Sequence, residues 1–390
     1  MRDEELGRLL LRPLDTEPAE PSRIDVSAAM RDGRRGRWWR NWMAAAGVTA
    51  VIATATTGGV LAFGGSDPAP LPPLPPDPNV PSACTFEVLP MGEETSAEVR
   101  AADPSGTYVV GQGDPFYEGK NNLMMWRDGD LIAHVRQTGK PVLMSDVNGS
   151  GVAVGSTDGW PTVPYVYRDE KISRLRGTGQ AIAVNDAGMI AGTEETSRRY
   201  VPQRWASPDA EPEIMKMPAG ITNGRVWDMA EDGTILVSVS GSMTTSEEPY
   251  LWYADGRVER IPPPPGTTDQ SFGMTAFHHG WIYGYSSGSA SSGVSGPYTF
   301  VHRYDPVSQT WETVDAGVLP AQVPGAGGPL TGEVSVIVGR EIVTLPTERR
   351  TDDDGFLVES ISGDARIMTG TVLSLSASDI PARPILWRCE

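Results

Sequence analysis

The sequence predicts an all-β chain: a β-propeller of seven four-stranded blades, six being the alternative count, preceded by a single transmembrane helix. Three observations carry that expectation. One polar turn flanked by short β-compatible runs recurs along the chain. An aromatic residue ends a short apolar run some 15 to 25 residues after each turn. One uncharged stretch of 21 residues follows a cluster of arginines near the N-terminus.

The clearest turn is Ala183-Val184-Asn185-Asp186-Ala187-Gly188-Met189-Ile190-Ala191-Gly192. Asn and Asp tolerate the left-handed region and Gly enters it without strain, so the stretch reads as a β-hairpin. The same layout occurs around Asp103 to Gly106, Asn148 to Gly151 and Ala230 to Gly233, with looser copies at His278-His279-Gly280 and Ser362-Gly363-Asp364. The glycines Gly106, Gly151, Gly188, Gly233 and Gly280 are 45, 37, 45 and 47 residues apart. The aromatic marker is Trp126, Tyr167, Trp205, Trp252, Tyr304 and Trp387, and a further turn and strand follow it, as in Asp255-Gly256-Arg257-Val258. Four strands in each period of about 40 residues is a propeller pattern; a β-sandwich with regular hairpins is the competing architecture.

A turn of Asn-Asp/Gly-Ala/Ser-Gly, an apolar-apolar-Gly end and then an aromatic strand resembles the HAF-type repeats of bacterial extracellular propellers. The resemblance covers residues 97–390. It implies a fold and an extracytoplasmic setting, and it carries no catalytic residues to transfer.

Residues 1–41 hold nine Arg and eight acidic residues, with Arg31, Arg34, Arg35, Arg37 and Arg40 gathered at the end. A short amphipathic helix over residues 4–14 would stop at Pro13, and the rest reads as a disordered cytoplasmic tail, or as a docking peptide for a cytoplasmic partner. Residues 42–63 form the expected transmembrane helix. The 21 uncharged residues from Met43 to Phe63 would span about 32 Å, matching a hydrocarbon core of about 30 Å. Trp38, Trp39 and Trp42 stand at the interface, and the arginines before the span put the N-terminus in the cytoplasm. A cleaved signal peptide is the alternative, against which the long preceding tail argues.

Residues 64–83 contain eight prolines and read as an extended extracytoplasmic linker, about 55 Å long as polyproline II. Residues 84–390 form the expected propeller ectodomain. Its last aromatic strand, ending Leu386-Trp387-Arg388-Cys389, lacks a following outer strand, and Cys84-Thr85-Phe86-Glu87-Val88 can supply one. The only two cysteines would then form a disulfide, Cys84 with Cys389, which an oxidising compartment permits; two separate thiols are the alternative. The pattern weakens between Tyr304 and Asp364, so one blade is expected to be degenerate. Residues 351–355, with three consecutive aspartates, read as a solvated loop.

The formal net charge of −18 argues against nucleic-acid binding, which needs a basic surface. His278-His279 sits in a turn with no carboxylate at ligand spacing. The calcium-loop-like Asp146-Val147-Asn148-Gly149-Ser150-Gly151 has Thr157 where the bidentate acid should stand. No nucleophile elbow, zinc-protease motif or phosphate loop occurs. The expectation is therefore no catalytic, cofactor or metal residue. The chain reads as a monomeric, single-pass membrane protein whose ectodomain binds a protein, peptide or glycan through its end loops, residues 113–121, 240–248 and 286–296. The alternative is an extracytoplasmic hydrolase or lyase with residues dispersed around the channel, which a cluster of perturbed acids, His or Arg at one channel mouth would favour.

Overall fold

The computed structural model describes residues 77–113, 121–137, 139–196, 199–241, 247–265, 271–289, 297–314, 334–351, 354–374 and 381–390. The expected tail, membrane span and most of the linker lie outside them. All the regular structure described is β.

The chain opens with β1 (Cys84–Val88). Five antiparallel four-stranded blades then follow in chain order. Blade one is β2 (Ala97–Ala102), β3 (Tyr108–Gly113), β4 (Asn122–Arg127) and β5 (Asp130–Val135). Blade two is β6 (Val142–Val147), β7 (Ala153–Thr157), β8 (Pro164–Arg168) and β9 (Lys171–Arg174). Blade three is β10 (Gln180–Val184), β11 (Ile190–Glu195), β12 (Tyr200–Trp205) and β13 (Glu213–Ile214). Blade four is β14 (Asn223–Met229), β15 (Ile235–Ser240), β16 (Glu248–Trp252) and β17 (Val258–Arg260). Blade five is β18 (Ser271–His278), β19 (Trp281–Ser289), β20 (Pro297–Asp305) and β21 (Thr310–Val314). A two-stranded hairpin, β22 (Val334–Val338) and β23 (Glu341–Leu345), comes next. The closing blade joins β24 (Asp354–Ile361), β25 (Ile367–Ser374) and β26 (Arg383–Cys389) to β1, in the order β24-β25-β26-β1.

The fold is thus an all-β propeller with six four-stranded blades. The expected count of seven is not met by complete blades, because the hairpin shows two strands and residues 315–333 fall outside the described set. The expected solvated loop at 351–355 is also corrected. Asp354 begins β24, its side chain is fully buried, and its carboxylate accepts the N–H groups of Arg350 and Thr351.

The turns explain why the repeat exists. In blades one to three the residue opening the turn uses its side chain to hold the next strand. Asp103 Oδ1 accepts the N–H of Tyr108, Asn148 Oδ1 that of Val152, and Asn185 Oδ1 that of Met189. The turns of blades two and three also reach their neighbours. Asn148 Nδ2 donates to the carbonyl of Asn185 at 2.9 Å, and Asn185 Nδ2 to that of Glu231 at 3.2 Å.

The apolar-apolar-Gly ending has a steric cause. Each innermost strand carries a β-bulge, at Arg100, Ser145, Ile182, Trp227, Thr275 and Glu359. Beside the bulge the inner strand's backbone presses on its partner. A Cβ at Gly192 would stand 2.0 Å from the carbonyl oxygen of Gln180, and Gly111, Gly155 and Gly370 meet the same obstruction at 2.0–2.1 Å. The tryptophans pin the chain where it crosses between blades: the indole N–H of Trp126, Trp205 and Trp387 donates to the carbonyls of Pro90, Arg176 and Pro346. In blade five that bond comes from Trp311 on the fourth strand, to Pro262, while the expected Tyr304 packs against it at 5.0 Å.

Apolar clusters fill the space between neighbouring sheets. Leu386 of the closing blade packs with Val99, Met124 and Trp126 of blade one, and the succession continues blade by blade to Ile337 and Val336 of the hairpin, which meet blade five and the closing blade respectively. β1 and β26 pair with Cys84 opposite Cys389, and the two are disulfide-bonded with Cα atoms 4.0 Å apart. This is closer than the ordinary 5.5 Å, because the pair occupies a narrow position of the antiparallel ladder.

Asp77, at the end of the expected linker, already touches the propeller. Its carboxylate pairs with both Nη atoms of Arg303 at 2.5 and 2.9 Å. Arg303 is fully buried and is also held by Glu312 and by the face of the Trp281 ring at 4.0 Å. The guanidinium beside it holds the Asp77 carboxyl below its usual range.

Candidate functional site

Two ends of the propeller can be told apart by what the strands deliver there. One carries the hairpin turns between first and second strands and is called the turn face. The other carries the crossings between blades and the connections between second and third strands, and is called the loop face.

Val99, Met144, Ala181 and Val226 of the inner strands are buried. Glu98 and Arg100 flank Val99, and Glu359 occupies the bulge of the closing blade's inner strand, whereas Ile182 and Trp227 at the matching bulges pack against the cores between blades. Glu98, Arg100 and Glu359 bring charge to the innermost strands of two adjacent blades. Glu98 Oε1 accepts Arg100 Nη1 at 3.2 Å and Gln112 Nε2 at 2.5 Å. Glu359, on the adjacent closing blade, stands within electrostatic reach of both Arg100 and Glu98. Burial raises the Glu98 carboxyl above its usual range. Burial also pushes Glu359 up to about 7; Arg100 opposes the shift and the Glu98 charge adds to it.

Toward the turn face the acids serve the backbone. Asp146 accepts the N–H of Val147 and, across the blade boundary, that of Val184 at 2.7 Å. Asp228 does the same with Met229 and Phe277 at 2.7 Å each. Burial raises Asp146 well above the carboxylate range and lifts Asp228 to about 6, against the pull of those N–H groups.

The loop face carries a ridge drawn from three consecutive blades. Trp160, between β7 and β8, is 68% exposed, in a chain whose other described tryptophans are largely covered. Thr162 Oγ1, two residues on, donates to Glu195 at 3.3 Å. Tyr200 Oη donates to the other oxygen of Glu195, and its N–H to Asn223. The guanidinium of Arg225 lies 3.9 Å from the centre of the Tyr200 ring, and Trp227 follows on the same inner strand. An aromatic ridge with one guanidinium and one carboxylate offers stacking faces, a bidentate donor and an acceptor together.

The histidines are not brought together. His134 is bonded to Glu94, His302 to Thr313, and His278 is buried with its imidazole held down to about 4 by desolvation. Among the described residues no group of three or more His, Cys, Asp or Glu has metal-ligand spacing. Residues 114–120, 242–246 and 290–296, most of the three end loops expected to form the binding face, lie outside the described set. Sequence reading missed Glu98, Arg100 and Glu359. Their signal was a charged residue where sister blades carry Ser145 or Ile182, legible only once the bulge position is known.

No family model matches the chain, and no curated protein matches it. Solved structures similar to it are propellers or carry one. The β-propeller domain of the trilobed protease from Pyrococcus furiosus shares 13% identity over 75% of this chain and 96% of that one, with a TM-score of 0.48. Oligogalacturonate lyase from Vibrio parahaemolyticus shares 11% over 78% of this chain and 97% of that one, with a TM-score of 0.49. TolB from Acinetobacter baumannii shares 10% over 77% of this chain, with a TM-score of 0.39, and the match spans 66% of the TolB chain. At these identities the likeness concerns the fold alone.

Proposed function

We propose that this chain is a single-pass membrane protein of the HAF-type repeat kind. In this reading residues 1–41 are a cytoplasmic tail, residues 42–63 span the bilayer, residues 64–83 link, and residues 84–390 form a monomeric extracytoplasmic propeller. The hairpin β22–β23 is the outer half of a seventh blade. Its strands are joined by a two-residue turn, Gly339-Arg340, as β4 and β5 are by Asp128-Gly129. Pairing of β1 with β26 closes the ring. Protease added to wall-stripped cells should cut beyond residue 64 and spare the tail; a soluble product starting near residue 65 would sink the anchored reading. Hydrogen exchange should show protected amides within residues 315–333, and uniform fast exchange there returns the count to six.

The propeller acts as a non-catalytic binding module, and the loop face holds its ligand, a protein, peptide or glycan. The observation that carries this is the exposed Trp160 on a connection whose Thr162 bonds Glu195, the acceptor that also holds the Tyr200–Arg225 stack. Glycan and peptide arrays probed with the full chain should give ligands whose binding falls at least about tenfold in Trp160→Ala and Arg225→Ala with melting unchanged. Ligands indifferent to both substitutions would put the site elsewhere.

A second reading rests on Glu359, a carboxyl that titrates near neutrality within electrostatic reach of Arg100, as a general acid or base would. It makes the protein a hydrolase or lyase. Turnover that survives Glu359→Gln would remove this residue from any chemistry.

A further inference from the structure

Arg383 opens β26 on the loop face, where the closing blade meets the crossing from the hairpin. It is half-buried, and its Nε and Nη2 are both buried without a hydrogen-bond partner. Leaving two guanidinium donors unpaired away from water is costly, and native structures rarely do it without a ligand, ion or water at hand.

Among the described residues no acceptor meets these two groups. Asp354 is the nearby buried acid, and its oxygens are already engaged. Oδ2 accepts the backbone N–H of Arg350 at 2.6 Å and of Thr351 at 3.3 Å, and Oδ1 accepts Arg350 Nη2 and Thr351 Oγ1 at 3.3 Å each. Arg350 Nη1 donates to the carbonyl of Pro381, and Arg349 Nη1 to that of Asp354. The described charges within electrostatic reach of the Arg383 guanidinium are Arg350, Asp354 and Glu348.

The geometry of the orphan pair selects the ligand. Nε–H and Nη2–H lie on one edge of the guanidinium and point the same way, the fork that meets two oxygens of a planar oxyanion side-on. We propose that this edge of Arg383 is a carboxylate-binding site, taking a monoanionic carboxylate of a ligand bound on the loop face. A phosphate dianion would crowd Asp354 and Glu348 more than a monoanion does. The site is independent of the Trp160–Arg225 ridge, lying on another blade.

The test uses the full chain and ¹³C-acetate as the probe. The acetate resonance should broaden saturably on adding protein and recover on dilution, with inorganic phosphate a weaker competitor. Arg383→Lys keeps the charge and the stem but loses the side-on fork, so it should weaken acetate binding at least about tenfold, as should Arg383→Gln. Should either variant fail to fold, the unsubstituted chain still decides the matter, because its melting temperature should rise saturably as millimolar sodium acetate replaces sodium chloride, a range in which general salt effects are small. Equal melting in the two salts, unchanged broadening in Arg383→Lys, or phosphate binding as tightly as acetate would each overturn the proposal. So would a structure showing only an ordered water on the Nε–Nη2 edge in the presence of acetate.

Discussion

The turn face and the loop face are built from the same strands and obey different rules. On the turn face blades one, two and three repeat one device: a buried Asp or Asn holds its own hairpin, and Asn148 and Asn185 also reach into the next one. On the loop face no two described blades agree. Blade two presents Trp160, blade three Glu195 and Tyr200, blade four Arg225, and the closing blade Arg383 beside Arg350 of the crossing into it. Repetition within one chain marks what each blade needs in order to be a blade. Departure from it marks positions free to take on something else.

The contrast is most severely tested with glycine. Gly192→Ala forces a Cβ to within 2.0 Å of a backbone oxygen that cannot move without opening the bulge. Loss of more than about 4 kcal/mol, or no folded product, is expected by denaturant titration. Gly159 on the loop face has nothing within 4 Å of its would-be Cβ, so Gly159→Ala should cost only about 1 kcal/mol, from its positive φ. Equal costs would erase the distinction between positions the blades repeat and positions on the loop face.

Next in size is the covalent closure. Cys84→Ser should lower stability by about 2–5 kcal/mol, since the cross-link closes most of the ectodomain into one loop. Proteolysis near both ends of the propeller should quicken, while binding on the loop face persists.

The charge on the innermost strands sharpens the comparison through pH. The folded Glu359 carboxyl titrates at about 7 against an ordinary 4.5. The native state therefore holds its proton more tightly than the unfolded chain, and stability falls as pH rises from about 4 through 7. Glu359→Gln should leave stability at pH 4 unchanged and raise it at pH 8. The full shift corresponds to about 3 kcal/mol, and the gain should fall short of that because the side chain keeps some contact with solvent. A variant with the same pH profile as the original would show that the ionised carboxylate is compensated in the folded chain. Smallest are the single turn bonds. Asn185→Ala should cost about 1–2 kcal/mol, whereas Tyr200→Ala should change stability by less while abolishing ligand capture.

Much of this fold was legible because a turn has a chemistry. Asn185-Asp186-Ala187-Gly188 can be read as a hairpin from residue types alone, and its recurrence gives the period. The cysteines were legible because a strand was missing at one end of the pattern and spare at the other. The bulges were not, since a bulge is a relation between two strands and leaves only a glycine on the partner as its trace. Asp354 was misread for the same kind of reason: three aspartates in a row look solvated, and what buries the third is a backbone that folds over it. The Asp77–Arg303 pair, 226 residues apart, has no local signal at all.

The cystine bridge also sets how the molecule answers a pull. Tension entering through the segment before Cys84 passes to Cys389 across one covalent bond, without loading β1 in shear or peeling it from β26. The 305 positions separating the two cysteines hold roughly 1,000 Å of contour length, at about 3.4 Å per residue, which a force applied between the chain ends cannot draw out. Drawn by its ends the ectodomain is a stiff bead; once the bridge is reduced it becomes a coiled tether.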